Sequence, residues 1–212
     1  MTSADLIARA ADLATPGHRR ILGITGAPGA GKSTVARAVV DELGPERAVL
    51  VPMDGFHLSN ATLTAWQRRD RKGAWDTFDA DGYVHLLRRL RDQAEDVVHA
   101  PDFDRTIDES LGSAIPVRRD VPLVVTEGNY LLYDRGGWAG VAALLDESWY
   151  LELDDPTRLS RLTLRHQQHG LAADRAAEWA STVDQVNADA VAGTRARADL
   201  IVTAGQGFRQ SS

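Results

Sequence analysis

Short apolar runs that alternate with helix-period stretches predict an α/β fold. The expected architecture is a three-layer αβα sandwich, with helices on both faces of a mostly parallel sheet. Three observations carry this. Strand-like runs recur at residues 21–24, 48–52, 121–127, 148–153 and 199–203. Residues between them place apolar side chains three and four apart, as a helix does. The first run also passes through a glycine-rich turn directly into a helix.

Residues 3–14 carry Leu6, Ala10 and Leu13 on one side and stop at Thr15-Pro16-Gly17, which reads as a short amphipathic helix. After the first strand comes Gly26-Ala27-Pro28-Gly29-Ala30-Gly31-Lys32-Ser33, then Thr34, a complete G-x-x-x-x-G-K-[ST] pattern. Val35, Val39 and Leu43 define the next helix, and Gly44-Pro45 closes it. In a strand–loop–helix setting this pattern grips a nucleoside triphosphate: glycines let backbone N–H groups approach phosphate oxygens, and the helix start adds its positive dipole end. Lys32 can reach the β- and γ-phosphates, and the Ser33 hydroxyl can meet a magnesium ion. The fold expectation narrows accordingly to a P-loop NTPase sandwich.

Asp54 follows the second strand, at the sheet edge where parallel α/β proteins bind ligands, although a turn aspartate before Gly55 is the plain alternative. His57 follows as a loop histidine. Residues 59–80 are polar and read as irregular. They include the basic run Trp66-Gln67-Arg68-Arg69-Asp70-Arg71-Lys72-Gly73, either a solvated face or a patch in which Lys72 holds an anion. A helix over 81–95 has Tyr83, Leu86, Leu87 and Leu90 on its buried face. Short strands at 97–100 and 113–117 suggest a hairpin-like excursion over 97–118, with turn chemistry at Pro101-Asp102-Phe103-Asp104-Arg105.

The strand at 121–127 runs into Glu127-Gly128, an acidic residue able to hold magnesium directly or through water. Gly136-Gly137 opens a helix to residue 145. Asp155 and Pro156 start a helix on which Arg158, Arg161 and Arg165 share a face; such arginines suit a lid over a transferring phosphoryl group, or plain solvated positions. His166 and His169 lie beside them without metal-site spacing and without an evident acidic partner. A single helix over 173–191 has Trp179, Val183, Val186 and Ala190 as its apolar side, and residues 205–212 read as a frayed tail.

With 212 residues, 43% hydrophobic, a single domain spanning 1–212 is expected. The formal net charge of −6 argues against broad nucleic-acid binding. There is no cysteine, hence no disulfide or thiol chemistry. The N-terminus lacks the basic-then-apolar pattern of a signal peptide, and no apolar run reaches membrane-spanning length, so a cytoplasmic protein without membrane partners is expected. Pairing as a homodimer is left open.

The phosphate loop, Pro52-Met53-Asp54-Gly55-Phe56-His57, Arg71-Lys72-Gly73-Ala74 with Thr77-Phe78-Asp79, Pro101-Asp102-Phe103-Asp104-Arg105, and Glu127-Gly128-Asn129-Tyr130-Leu131-Leu132 occur in one order. Together, over residues 18–204, they resemble the phosphoribulokinase/uridine kinase family, especially its pantothenate-kinase-like and fructose-transport-kinase-like bacterial members. The resemblance implies an ATP- and Mg2+-dependent kinase acting on a hydroxyl of a small metabolite: a nucleoside, a pantothenate-like acid or a sugar. It implies Asp54 as general base, Glu127 near the metal and Arg165 as lid arginine, within a helical lid at about 161–175. His57, Lys72, Arg105, Asn129 and Tyr130 would lie toward the substrate, with acceptor-side inserts at about 55–80 and 97–118.

Two other readings use the same loop. An already phosphorylated sugar or nucleotide would favour the Arg68–Lys72 run, and a non-catalytic ATP-sensing module would not need Asp54. A GTP switch is disfavoured because Asn60, Asn129 and Asn187 are not followed by lysine, and no Ser-Gly-Gly-Gln signature of a transport ATPase is present.

Overall fold

The structure, a computed structural model, describes residues 1–168 and 170–203. The expected tail at 205–212 and His169 lie outside the described residues. The elements are α1 (Ser3–Leu13), β1 (Arg20–Gly26), α2 (Lys32–Leu43), β2 (Ala48–Leu50), α3 (Asn60–Ala65), α4 (Ala80–Asp92), β3 (Val97–Asp104), β4 (Glu109–Arg118), β5 (Leu123–Glu127), β6 (Glu147–Glu152), α5 (Asp155–Gln168), α6 (Ala173–Ser181), α7 (Val183–Ala192) and β7 (Leu200–Thr203).

Five strands form one parallel sheet in the order β2-β5-β1-β6-β7, and β3 and β4 form a separate antiparallel hairpin. Alternation along each central strand feeds two cores, one per face. Leu22, Ile24, Val125, Trp149 and Leu151 pack with Leu6, Val35 and Val39 from α1 and α2. Ile21, Val124 and Tyr150 point the other way, toward Tyr83, Leu87, Tyr130 and Trp138. The three-layer α/β sandwich expected from the sequence is the observed fold. No helix among the described residues is long and apolar enough to cross a membrane.

Several boundaries differ from expectation. Residues 59–80 are not wholly irregular: Ser59 caps α3 by accepting from the Thr62 N–H. The hairpin strands are longer than expected. Pro101-Asp102-Phe103-Asp104 lies in β3, with the ladder shifting register between Ala100 and Asp102, where proline supplies no N–H. The helix expected from Gly136 is two short 3-10 turns, Gly136–Gly140 and Ala142–Leu144, in keeping with three glycines in five residues. The single helix over 173–191 is two helices, broken at Thr182 (φ −111°, ψ −77°). The break rotates the buried face. Val186 is 69% exposed, whereas Asp184, Asn187, Ala188 and Val191 are buried.

Candidate active site

The phosphate loop follows β1 and enters α2 through Gly31, whose φ of 97° is left-handed and free of cost only for glycine. No side chain caps α2, so the N–H groups of its first turn stay available to an anion. Gly29 (φ 82°) sits against α5, and a Cβ there would come within 2.9 Å of Leu162 Cγ and 3.1 Å of Arg158 Cγ. Pro28, Gly29, Lys32 and Ser33 line a cavity of about 560 Å3, within the usual range of small-molecule sites. Gly26, Ala27, Ala30, Gly31 and Thr34 complete the loop behind that lining.

Lys32 is buried. Its Nζ donates to Gly26 O at 2.9 Å, Ala27 O at 3.0 Å and Asn129 Oδ1 at 2.7 Å. Burial pulls its pKa down to about 8, against the opposing pull of Glu127 and Asp54. These bonds hold the ammonium folded back over the loop, with backbone and amide oxygens where phosphate oxygens would bind.

Parallel register pairs Ile24 of β1 with Glu127 of β5, which places that carboxylate beside the phosphate loop. Ser33 Oγ donates to Glu127 Oε1 at 2.9 Å. Burial, then the charge of Asp54, pushes the Glu127 carboxyl above its ordinary value. A serine hydroxyl and a carboxylate at a helix N-terminus are an all-oxygen donor set that suits Mg2+.

Asp54 lies in a 3-10 turn, Met53–Phe56, after β2. Its Oδ2 accepts from Arg105 NH2 at 2.8 Å, while Oδ1 has no partner among the described residues. Burial pushes Asp54 up, but His57, Arg105, Lys32 and Arg165 together more than offset it, so its carboxyl lies below the ordinary value. His57 Nδ1 is 2.8 Å from the Asp54 carbonyl oxygen. A carbonyl only accepts, so Nδ1 carries the proton and Nε2 presents a lone pair. The imidazole lies against Phe78 (4.0 Å) and Phe103 (4.6 Å) at tilted ring angles, and burial holds its pKa below the usual histidine range.

The basic run is paired within the fold, its four cations sharing two carboxylates. Arg71 forms two bonds to Asp76 at 2.8 and 2.6 Å, and Arg68 pairs with the same carboxylate. Arg69 pairs with Asp108 at 2.7 Å; Lys72 donates to Asp108 O at 2.6 Å and to Asn60 Oδ1 at 2.8 Å. Lys72 does line the cavity, beside the Phe103 ring, and shares the Asp108 carboxylate with Arg69. Tyr130 does not line it. The ring is fully buried against Phe78, Tyr133 and Trp138, and its hydroxyl donates to Gly73 O at 2.8 Å. It thereby braces the segment that carries Lys72.

On the opposite wall, Arg165 lines the cavity and makes no hydrogen bond or ion pair among the described residues. Burial, then Arg105, lowers its pKa from the arginine value. Arg158, expected among solvated arginines, is instead fully buried; it bonds Asp155 at 3.0 Å and also Gln185. His166 does have an acidic partner, Asp184 Oδ2, at 2.7 Å. Asp184, Asn187 and Trp179 also line the cavity, and sequence periodicity missed them by assigning 173–191 to one helix. The only available signal was polar: Asp184 and Asn187 stand three apart and so share a face.

Thus the structure gathers Lys32, Ser33, Asp54, His57, Lys72, Arg105, Glu127, Asn129 and Arg165 around one cavity, and leaves Tyr130 behind it. The model of the phosphoribulokinase/uridine kinase family matches residues 21–206. The chain belongs to this family. A Schizosaccharomyces pombe relative, named as a candidate uridine kinase, is 31% identical over 208 residues, covering 93% of this chain and 88% of the relative. A crystal structure from Silicibacter sp. TM1040, described as a candidate fructose transport system kinase, is 36% identical, covers 95% of this chain and 99% of its own, and has a TM-score of 0.85. YFH7 from Saccharomyces cerevisiae, described as a candidate P-loop kinase with a circular permutation, shares the fold at a TM-score of 0.78, with 18% identity over 96% of this chain and 98% of its own. Family membership makes this chain a P-loop kinase, a phosphotransferase of the class that acts on small metabolites.

Proposed function

We propose that this kinase moves the γ-phosphoryl group of ATP, with Mg2+, onto a hydroxyl of an uncharged or weakly charged small metabolite. The observation that best supports this reading is the meeting, in one cavity, of the phosphate loop, the Ser33–Glu127 pair and the Asp54 carboxylate. The proposed lid is the α5–α6 region at about 161–175, and the acceptor side comprises residues 55–80 and 97–118.

Asp54 Oδ1 takes the proton of the acceptor hydroxyl as that oxygen bonds to the γ-phosphorus and the β–γ bridging bond breaks. Arg105 holds the carboxylate in place through Oδ2 and favours its ionised form. Lys32 turns from backbone oxygens to the phosphates, and Arg165 matches charge on the moving group. Ser33 and Glu127 would hold the magnesium ion, which supplies charge neutralisation at the phosphates.

The paired basic run favours an unphosphorylated acceptor over a phosphorylated one. The cavity-lining cations Arg69 and Lys72 share Asp108, and Arg165, which has no partner among the described residues, is assigned here to the phosphoryl group in transfer.

The test is ADP release over nucleosides, pantothenate, sugars and their phosphates, with and without Mg2+, for the wild type and Asp54→Asn. Mg2+-dependent turnover is expected with at least one unphosphorylated alcohol. Turnover should fall by about 10²- to 10⁴-fold in Asp54→Asn while ATP binding survives. Near-normal turnover in that variant would remove Asp54 as the base. Absence of turnover with every acceptor would favour a nucleotide sensor.

A further inference from the structure

Beyond the residues the family resemblance singles out, one helix brings unsatisfied polar groups into the cavity. Asp184 and Asn187 on α7 are 7% and 5% exposed, and both line it. The Asn187 carboxamide makes no hydrogen bond among the described residues, and Asp184 uses only Oδ2, for His166. Neither the Asn187 amide nor Asp184 Oδ1 is among the fully enclosed side-chain atoms left without a partner, so both open onto the cavity, where a ligand or water completes them. His57, which lines the same cavity, presents the Nε2 lone pair fixed by its bond to the Asp54 carbonyl. Trp179 also lines it and offers an apolar ring.

The inventory is specific. Asp184 Oδ1 and His57 Nε2 only accept, and Asn187 both accepts and donates. A partner must therefore bring several donors and a C–H face, and it gains nothing from negative charge beside Asp184. Hydroxyl groups on a carbon ring or short chain meet that description. A phosphate or carboxylate set against Asp184 does not, even though Arg165 and Arg105 line the same cavity.

We propose that α7 is the specificity-determining element of the kinase: Asp184, oriented by His166, and Asn187 read hydroxyls of a polyhydroxylated, uncharged acceptor other than the hydroxyl that is phosphorylated. This rests on the kinase function proposed above. His166 is a positioning residue, since it acts through Asp184.

The test uses the full chain with saturating ATP and Mg2+, and ADP release as readout. The acceptors are D-ribose, D-fructose, glycerol and uridine, each beside its singly deoxygenated analogues, together with their phosphates and pantothenate. For an accepted polyol, one deoxy analogue should lose about tenfold or more in kcat/KM with the wild type. Asp184→Asn and Asn187→Ala should raise the polyol KM about tenfold, change kcat less, leave the KM for ATP unmoved and no longer discriminate against that analogue. Val186→Ala, on the exposed side of α7, controls for helix damage.

Failure separates into distinct results. If no acceptor is turned over, the kinase reading falls and this one with it. Should only phosphates or pantothenate react, the polyol class falls and the kinase stands. If polyols react but every deoxy analogue reacts equally well in the wild type, or the variants keep full discrimination, the α7 assignment alone falls. The deoxy series needs no variant, so poor folding of a substituted chain leaves the test decisive.

Discussion

At the phosphate end of the cavity, residues 26–34 supply most of the chemistry, largely through backbone groups, and Glu127 joins them by strand register. At the end proposed to take the acceptor, His57, Phe103, Lys72, Trp179, Asp184 and Asn187 arrive from separate segments, and the chemistry is all side chain. The first end is local and repetitive in form; the second is assembled by packing. A grip for a phosphate chain needs only N–H groups, one ammonium and oxygens for a metal, whichever acceptor is used. Recognising an acceptor needs particular donors and acceptors at particular distances, and any segment that reaches the cavity can carry them.

The largest effect expected from testing this contrast is at the local end. Lys32→Ala should weaken ATP binding by about 2 kcal/mol or more, roughly thirtyfold, by titration calorimetry. If instead acceptor affinity moved and ATP affinity did not, the two ends would not be separable. Next comes Tyr130→Phe, which removes the bond to Gly73 O and should cost about 1 kcal/mol in chemical denaturation. Its acceptor KM should move more than its ATP KM, because Gly73 follows Lys72. Equal movement of both would mean that Tyr130 braces the whole cavity.

A smaller shift is expected from Asp108→Asn. It keeps the left-handed turn position (φ 54°), which asparagine tolerates, and removes the carboxylate charge shared by Arg69 and Lys72, while Lys72 keeps its bonds to Asn60 and the Asp108 carbonyl. The KM for a phosphorylated acceptor should fall about two- to threefold relative to its unphosphorylated counterpart, in line with the modest worth of half-exposed ion pairs. No shift would mean that matched charge is not what disfavours an anion.

The smallest effect is on stability against pH. His57 has a folded-state pKa below its ordinary value of 6.5, so the unfolded chain binds the extra proton. Its contribution is therefore present above about pH 6.5 and is lost as pH falls toward the depressed value. Glu127, raised above 4.5, acts with the opposite sign, and Asp54, lowered from 3.8, acts at more acid pH. The difference between wild type and His57→Gln isolates the histidine: the variant's melting temperature should fall less between pH 7 and pH 5. Parallel curves would mean that His57 titrates as it does in the unfolded chain.

Legibility in the sequence follows the same division. The sheet could be read because its strands are buried on both faces and so appear as continuous apolar runs, as at Val124-Val125 and Trp149-Tyr150-Leu151. Lys32 and Ser33 could be read from spacing alone. Arg158 was misjudged because its burial depends on Asp155 and Gln185, the latter on another helix. Asp184 and Asn187 were hidden by a helix break with neither glycine nor proline to announce it, and Val186, grouped with Val183 and Ala190 on the apolar side, proves exposed while Ala190 packs on the core. The family resemblance set Tyr130 toward the substrate, yet its ring packs on the core side while Asn129 bonds Lys32.

The break at Thr182 has a consequence for how such a kinase can diverge. Because helix is interrupted there, inserting or deleting one residue can be taken up by α7 slipping one position in its place, which moves each side chain about 100° round the helix axis. Different side chains would then occupy the places of Asp184 and Asn187, with no substitution anywhere near the phosphate loop. A lineage could thus trade one acceptor for another in a single codon-sized genetic step and inherit its phosphoryl donor unchanged.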